Sequence, residues 1–131
     1  KNIIPRTIDE LPVLFVICAL SKGKAKFNGI AELRIKESDR IAVMEKGLNT
    51  IGIKTKSTRD TLTIYGNPKI KFQKKISVST NLDHRIAMSF FILGQTWGKH
   101  MTIKGFESVN SSFPNFLKLQ KKLGAEYEIK T

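Results

Sequence analysis

Apolar and polar positions follow two periods along this chain, and together they predict a mixed α/β (α+β) fold. Leu11–Leu20 is an almost uninterrupted apolar run, which predicts a helix buried on most sides. Apolar residues recur at helical spacing from Ile41 to Ile51, so a second, amphipathic helix is expected over residues 39–50. Alternating or β-branched stretches predict strands at residues 24–27, 53–56, 61–65, 76–79, 101–104 and 125–130.

The second half of the chain shows the same kind of pattern. A third helix, apolar nearly all round, is expected from Asp83 to about Gly98. After a polar loop, a fourth helix is expected over residues 113–123, with Gly52 and Gly124 ending the second and fourth helices. Its predicted core face consists of Phe113, Phe116, Leu117, Leu119 and Leu123.

The similar patterns of the two halves indicate an internal repeat. Asp9 corresponds to Asp83 and Gly52 to Gly124, at a spacing of about 74 residues that drifts slightly at the loops. We therefore predict two copies of one supersecondary unit, over residues 8–65 and 76–131, within a chain whose 131 residues suit one domain or a piece of something larger.

Net charge, apolar runs and cysteine content limit the partners and the cellular location that the sequence favours. The net charge of +12 suits an anionic partner, but a lysine-rich surface also arises from composition alone. No apolar run approaches the 18 residues that a membrane span needs. The single Cys18 allows no disulfide and no cysteine-based metal site within one chain, which favours the cytoplasm. Because the chain begins with Lys1, we expect a fragment.

Charged residues crowd the expected starts of the helices. Asp9, Ser38, Asp83 and Ser112 are candidate N-caps, and capping is the simpler interpretation of Asp83 and Ser112. The helix dipole disfavours cations at such positions, yet two motifs place them there. A carboxylate or phosphate held between the two helix starts would explain them, and a solvated surface is the alternative. The cations concerned are Lys36, Arg40 and Arg85, with His84 beside them.

Two further groups admit two interpretations each. Glu37, between Lys36 and Arg40, is either a proton-transferring carboxylate or the partner of a local ion pair with Arg40. His84 is either a proton carrier or a polar residue at a helix start.

Four segments of this chain resemble the C-terminal part of the 5-enolpyruvylshikimate-3-phosphate (EPSP) synthase family. They occur in the family's order and spacing, the resemblance covers essentially all 131 residues, and the first has the form of the class II branch. The segments are Ile8-Asp9-Glu10-Leu11-Pro12, Leu33-Arg34-Ile35-Lys36-Glu37-Ser38-Asp39-Arg40, Leu82-Asp83-His84-Arg85-Ile86-Ala87-Met88-Ser89-Phe90 and Ser112-Phe113-Pro114-Asn115-Phe116.

This resemblance implies a fold and a reaction. The family fold consists of two similar domains, each with three βαβαββ units, so the chain would be a partial C-terminal portion, about two units of one domain. The implied activity transfers the enolpyruvyl group of phosphoenolpyruvate to the 5-hydroxyl of shikimate 3-phosphate by addition and elimination, within aromatic amino acid biosynthesis. It needs no metal and no organic cofactor.

The resemblance also implies roles for single residues. Asp9 would accept the proton of the shikimate hydroxyl, and Lys36 would bind shikimate 3-phosphate. Glu37 would protonate the methylene carbon of phosphoenolpyruvate, while Arg40 and Arg85 would bind that substrate at the site that glyphosate also occupies. His84 would be a supporting histidine of the site.

The chain differs from the family pattern at one position, and it has no counterpart of the family's other domain. Ser111 stands where many members carry a lysine that contacts phosphoenolpyruvate, although class II members vary there. In the family, most contacts to shikimate 3-phosphate come from the other domain, and no part of this chain resembles it. The remainder of the same enzyme is therefore the expected partner, and the isolated chain is expected to be inert.

Two alternatives remain open. A basic nucleic-acid-binding module would use the positive charge, but such modules interleave exposed aromatic residues with basic ones, and most of the eight Phe fall on predicted core faces. The densest basic run, residues 69–75, contains only Phe72. A fragment of UDP-N-acetylglucosamine enolpyruvyl transferase would share fold and donor, but its signature motifs differ. We therefore expect neither a nucleic acid nor a membrane as partner.

Overall fold

The computed structural model describes residues 10–70, 76–97, 101–125 and 127, with the backbone alone for 96, 97 and 110–112. Helices and strands are mixed along this part of the chain, as the sequence predicts. In order, the elements are α1 (Leu11–Leu20), β1 (Gly23–Phe27), a 3₁₀ helix (Ala31–Ile35), α2 (Arg40–Ile51), β2 (Lys54–Ser57), β3 (Leu62–Gly66), β4 (Ile76–Ser79), α3 (His84–Trp97), β5 (Met101–Lys104), α4 (Glu107–Ser112) and α5 (Phe116–Lys122).

The strands form two small sheets. In the first, β3 lies between β1 and β2 and runs antiparallel to both, with Ile64 opposite Ala25 on one side and Thr55 on the other. In the second, β4 and β5 are parallel, and Val78 pairs with Ile103. A parallel pair requires a crossover, which α3 supplies between β4 and β5. The N-terminus of α3 follows β4 and a turn, whereas the N-terminus of α2 follows the 3₁₀ helix.

One apolar core joins the two halves of the described chain. The core includes residues of α1, the 3₁₀ helix, α2, β3, β4 and α3. Its fully buried side chains include Phe15, Leu33, Met44, Leu48, Ile64, Ile86 and Phe90. Burial of this apolar area is the dominant favourable term for the fold. Because α2 and α3 share the core, the beginnings of the two helices are held at fixed positions relative to each other.

Several boundaries confirm the sequence predictions. Leu11–Leu20 is a helix, and α2 ends at Gly52, whose backbone has a positive φ of 111°. Ile41, Met44, Leu48 and Ile51 are all buried on one face of α2, as predicted. The prediction of nearly all-round burial holds for the described side chains of α3 better than for α1, where Leu14 and Ile17 are exposed.

The prediction for the end of the chain was wrong in three respects. The expected polar loop contains the helix α4, Ser112 is the last residue of α4 and does not precede a helix, and α5 begins at Phe116, not at residue 113. Pro114 separates the two helices, because a proline disfavours helical backbone in the residue before it. Phe113 accordingly has φ −145° and ψ 74°.

The predicted core face of the fourth helix was also largely wrong. Phe116 alone is buried, while Phe113, Leu119 and Leu123 are exposed. The strand expected at 125–130 lies mostly outside the described residues. The repeat over residues 8–65 and 76–131 stays a prediction.

Candidate functional site

Residues 36–38 form a short arch between the 3₁₀ helix and α2. Before the arch, Leu33 is fully buried and anchors the 3₁₀ helix to the core. After it, Asp39 caps α2, because its Oδ1 accepts a hydrogen bond from the N–H of Ala42 at 3.0 Å. Of the candidate caps on this helix, Asp39 and not Ser38 performs the capping. The 36–38 arch therefore stands between two fixed points at the N-terminus of α2.

Arg40, the first residue of α2, is paired with Asp83 at the start of α3. The Arg40 Nε donates to Asp83 Oδ2 at 2.9 Å, and the side chains are 1% and 0% exposed. A buried charge is expensive unless it is paired, so each group here depends on the other. The anion between the two helix starts in this structure is thus the carboxylate of Asp83.

The second oxygen of Asp83 faces α3 itself. Asp83 Oδ1 accepts from the N–H of Arg85 at 3.0 Å, so Asp83 caps α3 as predicted, while Ser38 Oγ donates to Oδ2 at 2.7 Å. Burial alone would raise the pKa of Asp83. The hydrogen bonds from Arg40 and Ser38, together with the Arg40 charge and the Arg85 N–H, outweigh burial and hold the pKa below its ordinary value.

The carboxylate of Glu37 completes this cluster. Its Oε1 accepts from Arg40 Nη2 at 2.7 Å, which is the local ion pair considered above, and about half of the Glu37 side chain is exposed. Lys36 points the other way along the arch, with its Nζ 3.3 Å from Glu32 Oε2. Glu37 and Arg40 are therefore together, and Lys36 is adjacent in the chain but bonded to the 3₁₀ helix.

His84 and Arg85 open α3, both half-buried. No ion pair joins Arg85 to another described residue. The turn that leads to them is unusual, since Asn81 and Leu82 both have positive φ, 49° and 59°. A leucine in this conformation is uncommon and carries strain. The turn directs the N-terminus of α3 toward Arg40.

The structure thus brings four of the six predicted site residues, namely Glu37, Arg40, His84 and Arg85, to the meeting of two helix starts, with Lys36 beside them. Asp9 lies outside the described residues, as does the side chain of Ser111. No group of three or more candidate metal ligands occurs among the described residues. In the same part of the chain, no helix is long and apolar enough to cross a membrane.

Sequence reasoning missed three contributors to this cluster. Asp83 and Ser38 were assigned only to capping, and Arg34 received no role although it is bonded to Asp39. A signal was present for Asp83, an acid directly before two basic residues, but its partner lies 43 positions away. Two shallow hollows on the described surface lie elsewhere, one along α2 beside Glu45 and one beside Leu123.

Comparison with known proteins identifies the family of this chain. The sequence model described as EPSP synthase (3-phosphoshikimate 1-carboxyvinyltransferase) matches residues 1–119, so the chain belongs to the EPSP synthase family.

Curated relatives and solved structures point the same way. A 3-phosphoshikimate 1-carboxyvinyltransferase of Zymomonas mobilis subsp. mobilis is 44% identical over 131 residues, which is 98% of this chain and 29% of that protein. One of Halorhodospira halophila is 39% identical over 129 residues, 98% of this chain and 28% of that protein. An EPSP synthase structure from Acinetobacter baumannii superposes with a TM-score of 0.83 at 38% identity, covering 98% of this chain and 30% of that one. The chain spans less than a third of these proteins.

Proposed function

We propose that this chain supplies one wall of the active site of a 3-phosphoshikimate 1-carboxyvinyltransferase. The whole enzyme would transfer the enolpyruvyl group of phosphoenolpyruvate to shikimate 3-phosphate and release inorganic phosphate. The remainder of the same enzyme would be the partner that supplies the opposite wall. One cysteine in 131 residues favours the cytoplasm as the place of action.

Each step of the proposed reaction uses a group of this chain. Glu37 gives a proton to the methylene carbon of phosphoenolpyruvate while the shikimate 5-oxygen bonds to its C2 and Asp9 takes the hydroxyl proton. In the elimination, Glu37 takes a proton back from the new methyl group, the bond from C2 to the phosphate oxygen breaks, and the proton on Asp9 passes to the departing phosphate. The products are the enolpyruvyl ether and inorganic phosphate, so atoms and charge balance without a metal or cofactor.

Arg40 and Arg85 are the proposed binding groups for the phosphoenolpyruvate anion, and Lys36 for shikimate 3-phosphate. His84 would support the site. The guanidinium fork suits a carboxylate or a phosphate better than an ammonium does. In the structure Arg40 bonds Glu37. An incoming anion would compete with Glu37 for Arg40.

The observation that carries this proposal is the convergence of two separate motifs. Arg40 and Glu37 come from the start of α2 and its preceding arch, and the bond of Arg40 to Asp83 ties them to the start of α3, where His84 and Arg85 lie. Both helix starts direct N–H groups and a dipole toward the same region, which is a favourable arrangement for an anionic substrate. The family that this chain matches is EPSP synthase (3-phosphoshikimate 1-carboxyvinyltransferase), which supports the same assignment.

A chimera tests the function directly. This chain would replace the matching stretch of the Zymomonas mobilis relative, which supplies the other wall, and phosphate release from phosphoenolpyruvate and shikimate 3-phosphate would be followed. We expect turnover that requires both phosphoenolpyruvate and shikimate 3-phosphate. A chimera that unfolds cooperatively on heating but releases no phosphate would overturn the proposal. The isolated 131 residues should release none under the same conditions.

Two matched substitutions locate the proton donor. Glu37→Gln in the chimera should lower kcat at least 100-fold, because general acid catalysis contributes about 10²–10⁴-fold. Glu107→Gln removes the same charge from an exposed residue of α4 and should leave kcat unchanged. Equal activity of the two variants would remove Glu37 from the mechanism.

A further inference from the structure

Arg34 connects three segments that are distant in the sequence. Its Nη1 donates to both carboxylate oxygens of Asp39, at 2.9 and 3.1 Å. Its Nε donates to the carbonyl of Arg59 at 2.9 Å, and its Nη2 to the carbonyl of Thr58 at 2.7 Å. One guanidinium therefore joins the end of the 3₁₀ helix, the N-cap of α2 and the connection between β2 and β3.

Both sets of acceptors are held firmly by other bonds. The β2–β3 connection is closed by Thr58 N–H to Thr61 carbonyl at 3.1 Å, and the Asp60 carbonyl accepts from the N–H of Ile30 at 2.9 Å. Asp39 is fixed by its capping bond to Ala42. Arg34 thus rests on rigid partners on both sides, and its contacts fix where the chain leaves the 3₁₀ helix.

The 36–38 arch lies between Arg34 and its partner Asp39. The ion pair closes a loop of only a few residues, so the conformations open to the three arch residues are strongly restricted. Lys36 and Glu37, two of the proposed active-site groups, are members of that arch. A displacement of about 1 Å at such groups is enough to reduce a rate by about 100-fold.

We propose that Arg34 is a positioning residue that holds the 36–38 arch, and with it Lys36 and Glu37, in the geometry the site requires. Arg34 acts through the backbone of the arch and through Asp39, not by contact with a substrate. Its effect on the reaction rests on the proposed function, whereas its effect on the order of the arch does not. A lysine cannot replace it, because one ammonium lacks the planar fork that serves a carboxylate and two carbonyls at once.

The order of the arch is measured first. Backbone ¹⁵N order parameters of the full chain should be near 0.85 for residues 36–38, and should fall below about 0.6 in Arg34→Lys. Arg59→Lys is the matched control, since it changes an exposed arginine of the same connection and leaves the Arg59 carbonyl in place. An arch that stays ordered in Arg34→Lys, or loosens equally in Arg59→Lys, would overturn the proposal.

A second variant covers the case in which Arg34→Lys does not fold. Asp39→Asn keeps a good capping residue for α2 but removes the charge that Arg34 pairs with. Its arch should loosen while the amide signals of α2 remain in place. An unchanged arch in Asp39→Asn would count against the proposal as well.

Activity of the chimera then separates positioning from general stability. Arg34→Lys should lower kcat/KM for phosphoenolpyruvate at least 10-fold while the urea midpoint stays close to that of Arg59→Lys. Millimolar guanidinium should restore part of the activity of Arg34→Ala and none to Arg59→Ala. Full activity with a loosened arch would overturn the catalytic part. If the unsubstituted chimera is inactive, the proposed function fails, and the order parameters still decide the role of Arg34 in the arch.

Discussion

The Nε of Arg40 lies 2.9 Å from Oδ2 of Asp83, and both side chains are closed to solvent. This pair joins the starts of α2 and α3 across 43 positions of sequence. The positive charge of Arg40 at the start of α2 is therefore compensated by the carboxylate of Asp83 before any ligand binds. A substrate anion would therefore approach a cluster whose charges are already organised.

The buried pair should be important for stability. Asp83→Asn keeps a residue that caps α3 well but leaves the Arg40 charge without its counter-charge. We expect the free energy of unfolding to fall by about 3 kcal/mol, measured by urea denaturation. Asp60→Asn, an exposed acid in the β2–β3 connection, is the control and should cost about 1 kcal/mol or less. A similar loss in the two variants would contradict the pairing.

Stability should depend on pH through the same carboxylate. The pKa of Asp83 is lower in the folded chain than the value of about 3.9 in an unfolded one. A depressed folded pKa contributes stability that is complete above the unfolded pKa and is lost as the pH falls through the folded one. Urea midpoints from pH 6 down to pH 2 should therefore fall less steeply below about pH 4 in Asp83→Asn than in the parent chain. Parallel profiles would show that Asp83 does not titrate in this way.

The close approach of α2 and α3 depends on the lack of a side chain at Gly47. A Cβ placed there would lie 2.8 Å from Cε2 of the buried Phe90 ring and closer still to Cζ. We expect Gly47→Ala to lower the free energy of unfolding by about 1–3 kcal/mol through overpacking, despite the better helix propensity of alanine. The double variant with Phe90→Leu should lose less than the sum of the two single changes. Strict additivity would contradict this contact.

The turn before α3 should respond to the type of residue at position 82. Leu82 has φ 59° and is exposed, so little packing offsets the strain of its backbone. Leu82→Asn should raise the thermal midpoint slightly, since asparagine adopts this conformation more readily. Leu82→Val should lower the free energy of unfolding by about 1–2 kcal/mol, because a β-branched residue tolerates it least. The opposite order of the two variants would show that the turn is not strained.

Much of the site could be located from two sequence motifs. They placed Glu37, Arg40, His84 and Arg85 at helix starts, and each of these residues lies there. The motifs could not show that Asp83 and Ser38 reach across to α2, because helix capping and ion pairing favour the same residue types at the same local positions. Arg34 was equally undetectable, since two of its acceptors are carbonyl groups, which every residue carries.

Periodicity by itself determined which segments are helices and strands over most of the described chain, because hydrogen bonding and burial of one face act over a few neighbouring residues. It was wrong where a proline and a short polar helix interrupt the last amphipathic segment. Only the tertiary structure decided which charges meet. The partners of Arg40 and Arg34 lie up to 43 positions away. Their distances are set by the packing of helices and strands around a shared core, which the local sequence pattern does not specify.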